Sequence, residues 1–245
     1  MIMSFQGNGD LCCSGVYSKD KFFQGIDKVA FVILNTEDLT IKSKHHTTFT
    51  TEQLIGFFSE KPKKAAKIKK KLAKGKSISI ADFRLVDFVT HSNNETTLIA
   101  EPFNQQTYSY ISNDKTTDDI TKTKTEFVAG DIYFIHFDQD GNILWVKEID
   151  KYQKGSFVEA FSFAHTFHND KIYLLYNDVK TRELKSCIVD QKGNITQKVE
   201  SKIKKDSKLG KYFLIPNSSI PSTNGEMIGL ASYMFKSRLL KFKFN

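Results

Sequence analysis

Apolar residues in this chain recur in short runs, many of them alternating with polar residues, and clusters of Asn, Asp and Gly separate the runs. A period of two marks strands whose side chains point alternately to opposite faces. Four turns, Asn8-Gly9-Asp10, Asn93-Asn94-Glu95, Asn169-Asp170-Lys171 and Asn224-Gly225-Glu226, each divide one apolar run from the next. Asn and Gly accept the positive φ of tight turns, so each of these predicts a hairpin. The first strands fall at 2–6, 83–90, 158–168 and 212–215, the second at 11–18, 97–103, 172–176 and 227–233.

A third strand follows in every copy, at 29–34, 132–137, 184–189 and 238–244, and in three copies a polar turn leads to a fourth, at 39–44, 143–149 and 195–201. The turns at 138–142 and 190–194 share Asp, Gln, Gly and Asn in register. Repetition of one four-stranded antiparallel unit predicts an all-β, propeller-like array, with units at 1–49, 83–150, 157–201 and 212–245. A β-sandwich is the alternative. Because the last unit stops after its third strand, the array is expected to belong to a longer protein, to associate through open blade edges, or to protect its edges in another way.

Composition agrees with strands: of 245 residues, 21 are Phe, 9 are Tyr and only 4 are Pro. No apolar stretch is long enough to span a bilayer, and the first thirty residues lack the order of a signal peptide. Cys12, Cys13 and Cys187 have neither disulfide-framework nor zinc spacing and read as small core residues. The net charge of +8 is concentrated between 50 and 80, where nine Lys face two Glu, a local +7.

This Lys-rich segment reads as a helical insertion. Thr50 or Thr51 caps a first helix with Gln53 near the capping-box position, and Pro62 opens a second whose apolar residues Ala65, Ile68 and Leu72 share one face before Gly75 ends it. Lys61, Lys74, Lys76 and above all Lys63, Lys64, Lys67, Lys69, Lys70 and Lys71 make a candidate anion-binding face. A solvated face that keeps a covering helix soluble is the simpler account. Nucleic acid is disfavoured, because Arg84, Arg182 and Arg238 all lie outside the segment.

The stretch FDQDGNILW, 137–145, resembles the blade motif of quinoprotein-type propellers, in which the turn feeds a Trp that packs between neighbouring blades. The order TEQLIGFF, a Lys-rich stretch, DFRLVDFV, LIAE, GDIYFIHFDQDGNILWVKEIDKYQ and KIYLLYND is similar to a family of uncharacterised bacterial propeller-like proteins. That resemblance implies the fold and, where an N-terminal region precedes the sequence, export to the periplasm or cell envelope. It supplies no catalytic residues.

Other candidate chemistry is thin. Asp138, Asp140 and Asn142 suggest a calcium loop, but Gly141 and Glu148 fall at the wrong positions, so a β-turn is the better reading. His45 with His46, and His165 with His168, fall on opposite strand faces and cannot readily share a metal. His91 and His136 read as isolated. Asp87 and Glu101, on neighbouring strands, are the one carboxylate pair that acid–base chemistry could use. Residues 112–125 read as an exposed, mobile excursion. No catalytic, cofactor-binding or metal-binding residue is assigned. The expectation is a non-enzymatic binding or scaffolding module for a protein or polysaccharide; the alternatives are a carbohydrate hydrolase or lyase, and attachment to an anionic surface through the Lys-rich helix.

Overall fold

A computed structural model describes residues 1–17, 28–58, 61–74, 83–112, 120–156, 158–179, 181, 183–202, 213–222, 226–233 and 236–244. The turn at 224–225, Gly75, Lys76, Arg182 and the tip of the 112–125 excursion lie outside these residues.

The chain is built from antiparallel strands in five sheets. The first sheet is a meander of β1 (Ile2–Phe5), β2 (Leu11–Tyr17), β3 (Lys28–Leu34) and β4 (Ile41–Thr48). Two helices follow, α1 (Thr51–Gly56) and α2 (Pro62–Leu72). The second sheet joins β5 (Arg84–Thr90), β6 (Thr96–Glu101), β9 (Ile132–Phe137) and β10 (Ile143–Ile149). The third repeat is the meander β12 (Ala164–His168), β13 (Lys171–Asp178), β14 (Glu183–Asp190) and β15 (Ile195–Lys202); the fourth has three strands, β16 (Phe213–Ser222), β17 (Glu226–Tyr233) and β18 (Lys236–Lys243). No closed barrel or propeller ring is formed among the described residues.

The described part of the 112–125 excursion, Ser112 and residues 120–125, forms strands, with residues 121–124 exposed as expected. β7 (Phe103–Ser112) and β8 (Ile120–Ala129) pair residue for residue as a long hairpin, and β11 (Gln153–Gly155) adds a third strand along β8, so a fifth sheet interrupts the second repeat. Thr-rich alternation with Tyr108 and Tyr110 is a strand pattern solvated on both faces, which lacks the apolar run by which the other strands declare themselves. The long first strand at 158–168 also breaks. A 3-10 turn at Val158–Ala160 precedes Ser162, whose φ of 75° is left-handed, and the strand begins only at Ala164.

Sheets stack in chain order. Phe31, Ile33 and Val29 of the first sheet meet Leu98, Ile135 and Phe137 of the second; Ile99, Ile132 and Phe134 on its opposite face meet Ile172, Leu174 and Tyr176 of the third; Leu175 and Leu184 then meet Leu214 and Met227 of the fourth. Strands covered on both faces need unbroken apolar runs, which is why β6, β9 and β13 are buried almost throughout. The equivalent turns key one repeat to another: a Cβ on Gly141 would lie 2.4 Å from the Phe31 ring, and one on Gly193 3.0 Å from Trp145. Trp145 also donates its indole N–H to the Gln191 carbonyl at 3.0 Å, so it packs against the following repeat.

α1 is capped by the Thr50–Gln53 box, with bonds of 3.2 Å and 2.8 Å. α2 buries Ile68, with Ala65 and Leu72 packed behind it against the first core cluster.

Candidate functional site

The first strands of the four repeats line one cleft. β1 packs beside β5 and β12 beside β16, while a bond of 2.6 Å between His165 Nε2 and Asp87 Oδ2 ties β12 to β5. At one end the cleft opens into a cavity of about 410 Å³ bounded by Arg84 and Val86 of β5, Phe163 and His165 near β12, and Asn217 and Ser219 of β16. β16 reaches this cavity because its register with β17 slips between Ile215 and Ile220, bulging Pro216, Asn217 and Ser219 out of the ladder.

Beneath the cavity lies a buried charged cluster. Glu101 is wholly buried; its Oε1 accepts from Arg84 Nη2 and from the Ser162 hydroxyl, and its Oε2 accepts from Lys151 Nζ at 2.7 Å. Lys151, also wholly buried at its side chain, gives a second bond to Gln153 Oε1 at 3.0 Å, and that same oxygen takes the Ser162 backbone N–H at 2.7 Å. Burial pushes the Lys151 ammonium down, against the pull of the Glu101 carboxylate. The left-handed backbone at Ser162 turns both its N–H and its hydroxyl into this cluster, which explains why a non-glycine residue holds that conformation. Arg84, 41% exposed, stacks on Phe103 at 4.2 Å and keeps guanidinium donors for the cavity.

Asp87 and Glu101 therefore do not form a pair. A bulge between Leu85 and Asp87 sets Glu101 opposite Arg84 and Asp87 opposite Ile99. Burial works to raise the Asp87 carboxyl, but the hydrogen bond and charge of His165 outweigh it and hold it below the ordinary range.

The other end of the cleft, about 500 Å³ and wider open, is lined by His91, from which a hydrogen-bonded chain runs inward. His91 Nε2 lies 2.7 Å from Thr97 Oγ1, which lies 2.8 Å from His136 Nδ1, and His136 Nε2 lies 3.0 Å from Glu95 Oε2. The two histidines read as isolated are thus joined. The Glu95 carboxylate can only accept, so the polarity runs one way: His136 donates to Glu95, Thr97 donates to His136, His91 donates to Thr97, and His91 Nδ1 is left a buried lone pair. It faces Asp170 at 3.8 Å. Burial, then the neighbouring His136, push the His91 pKa down to about 4, with Asp170 and Glu95 opposing. Burial likewise lowers His136, which stacks on Trp145 at 4.7 Å.

The remaining sequence candidates fall elsewhere. Asp138 accepts from the backbone N–H groups of Asp140 and Asn142 and from the Asn142 amide, and Asp190 does the same with Lys192 and Asn194, so both carboxylates serve their turns. Among the described residues no group of three His, Cys, Asp or Glu side chains is placed to hold a metal ion. Cys12, Cys13 and Cys187 are buried and unpaired in disulfides, with the thiols of Cys12 and Cys187 pushed by burial to about 12. His45 lies partly covered, His46 bonds to the Tyr17 hydroxyl at 3.0 Å, and His168 ends β12 opposite Lys171.

On α2, Lys63, Lys64, Lys67, Lys69, Lys70 and Lys71 are all exposed, and no described carboxylate lies within ion-pair distance of any of them. Lys64 lies over the Phe58 ring at 4.3 Å. Lys61 leaves the set: it bridges Asp131 and Asp150, bonds that outweigh burial and raise its pKa. No described helix is long and apolar enough to cross a membrane.

No protein-family model, curated protein or solved structure matches the chain.

Sequence reasoning missed Arg84, Lys151, Ser162, Asn217 and Ser219. One signal was present: a Glu in the run TTLIAE, apolar enough to be buried on both faces, must bring a cation with it.

Proposed function

We propose that this protein is a non-enzymatic binding module, a propeller-like array whose ligand seat is the cavity between β5, β12 and β16. The observation that carries this reading is the lining of that cavity: Arg84, His165, Asn217 and Ser219 face a space of about 410 Å³, of the size that suits one small ligand. Arg84 is fixed by a buried carboxylate, so its planar donors are preorganised for a carboxylate on the ligand. The amide of Asn217, which is exposed at the cavity rim, suits the hydroxyls of a sugar. The ligand class that fits is an acidic saccharide.

The test is ligand-observed NMR with glucuronic acid, galacturonic acid and their neutral counterparts. Binding of an acidic sugar, lost in both Arg84→Met and Asn217→Ala, is expected. Equal response to neutral sugars, or no effect of either substitution, would refute the reading.

A carbohydrate hydrolase or lyase would draw on the His165–Asp87 pair. Binding is favoured over turnover because both oxygens of Glu101, the other carboxylate beside the cavity, are engaged by two cations and a hydroxyl.

The six exposed lysines support a second reading, attachment of the array to an anionic surface. Sedimentation with phosphatidylserine-containing vesicles at low salt checks it; replacing all six lysines with Gln should abolish binding, and unchanged binding would remove the idea.

A further inference from the structure

Four stacked sheets have eight faces, and the three internal junctions cover six of them. The outer faces of the first and fourth sheets remain. On the first, the register aligns Phe5, Leu11, Leu34 and Ile41 in one row across all four strands, with Met3, Cys13 and Val32 in the next row on the same face. Phe5 is 66% exposed, Met3 61% and Ile41 60%. On the fourth, Ile215, Leu230 and Leu239 form a row, and Ile220 and Ile228 lie in another on the same face; Leu239 is 78% exposed, Ile220 66% and Ile228 40%. Lys44 ends the second row of the first face and Lys241 the second row of the fourth, so each face is an apolar patch edged by lysine, and its large side chains meet water.

We infer that these faces are the two halves of one junction, filled by a second copy of this chain: the first sheet of each copy packs against the fourth sheet of the other. A single chain carries both halves at opposite ends of its stack, so one two-fold axis covers the outer faces of the first and fourth sheets and closes the eight stacked sheets into a ring, within the range of about 4–8 units that radial sheet arrays adopt. Taking roughly 200 Å² for a large side chain and only the exposed share of Phe5, Met3, Ile41, Leu239, Ile220 and Ile228, each junction buries on the order of 750 Å² and the two about 1,500 Å², the size of a stable interface. This inference is independent of the ligand reading, since neither face carries Arg84, His165, Asn217 or Ser219.

Light scattering on the 245-residue chain, of mass 28.0 kDa, tests it. The expected species is a dimer. Met3→Asp and Leu239→Asp, each on an exposed strand position, should each give a folded monomer, because either one spoils both junctions. Mixing the two variants leaves one junction intact, so a weaker dimer should return. A wild-type monomer would overturn the proposal and assign the faces to other partners. A dimer that survives either single substitution would overturn it too, since that requires like faces to pair, and open polymers would overturn the ring.

Discussion

The two ends of the cleft solve the burial of polar groups in opposite ways. At the Arg84 end, opposite charges are buried together: one carboxylate, Glu101, sits between Arg84 and Lys151. At the His91 end, the groups are kept neutral, and a hydroxyl relays hydrogen bonds between two imidazoles. A charged cluster depends most on its buried cation, Lys151, whose loss strips Glu101 of its one fully buried counter-charge. A neutral relay tolerates loss better and is sensitive to acid, because each imidazole must stay unprotonated to remain comfortable.

The largest effect should come from breaking the charged end. Lys151→Met leaves Glu101 with fewer donors in a dry site and should cost about 3–5 kcal/mol of stability, measured by urea denaturation at pH 7. The acid response of the other end comes next. The His91 pKa is about 4 in the fold against 6.5 when unperturbed, so the unfolded chain takes up the proton first. Its contribution is complete above pH 6.5 and is lost as pH falls toward 4, by about 3 kcal/mol. His91→Phe should flatten stability over that window; an unaltered slope would reject the neutral-imidazole assignment. Thr97→Val removes the relay oxygen and should cost about 1–2 kcal/mol, with a change in fluorescence of Trp145, which is stacked on His136. Arg84→Met should cost only about 1 kcal/mol, because Glu101 keeps Lys151 and Ser162. Replacing Lys63, Lys64, Lys67, Lys69, Lys70 and Lys71 with Gln should move stability by less than about 0.5 kcal/mol.

Much of the strand order was readable because it rests on local rules. The turn at 138–142 and its counterpart at 190–194 share residues for a reason the structure makes plain, since Asp138 and Asp190 accept the same set of bonds. The Thr50–Gln53 box was readable likewise. The β7–β8 hairpin escaped because its two faces are polar, and apolar periodicity then has nothing to report. The cleft escaped for another reason. Glu101 and Lys151, fifty residues apart, meet across one sheet at the ends of β6 and β10, and His165 and Asp87, seventy-eight apart, meet only because the third sheet stacks on the second. Sequence marks which residues belong on a strand more readily than which face of another strand they will meet.

The seating of Gly141 on Phe31 and of Gly193 on Trp145 has a kinetic corollary. In both cases the turn docks on a residue translated earlier, never on one still to come. Each repeat can therefore settle onto a finished predecessor as it leaves the ribosome, and assembly can run vectorially from the first sheet to the last. A chain that grows this way carries one unfinished, apolar sheet face at its advancing end throughout synthesis, and that face is where a chaperone would be expected to hold it.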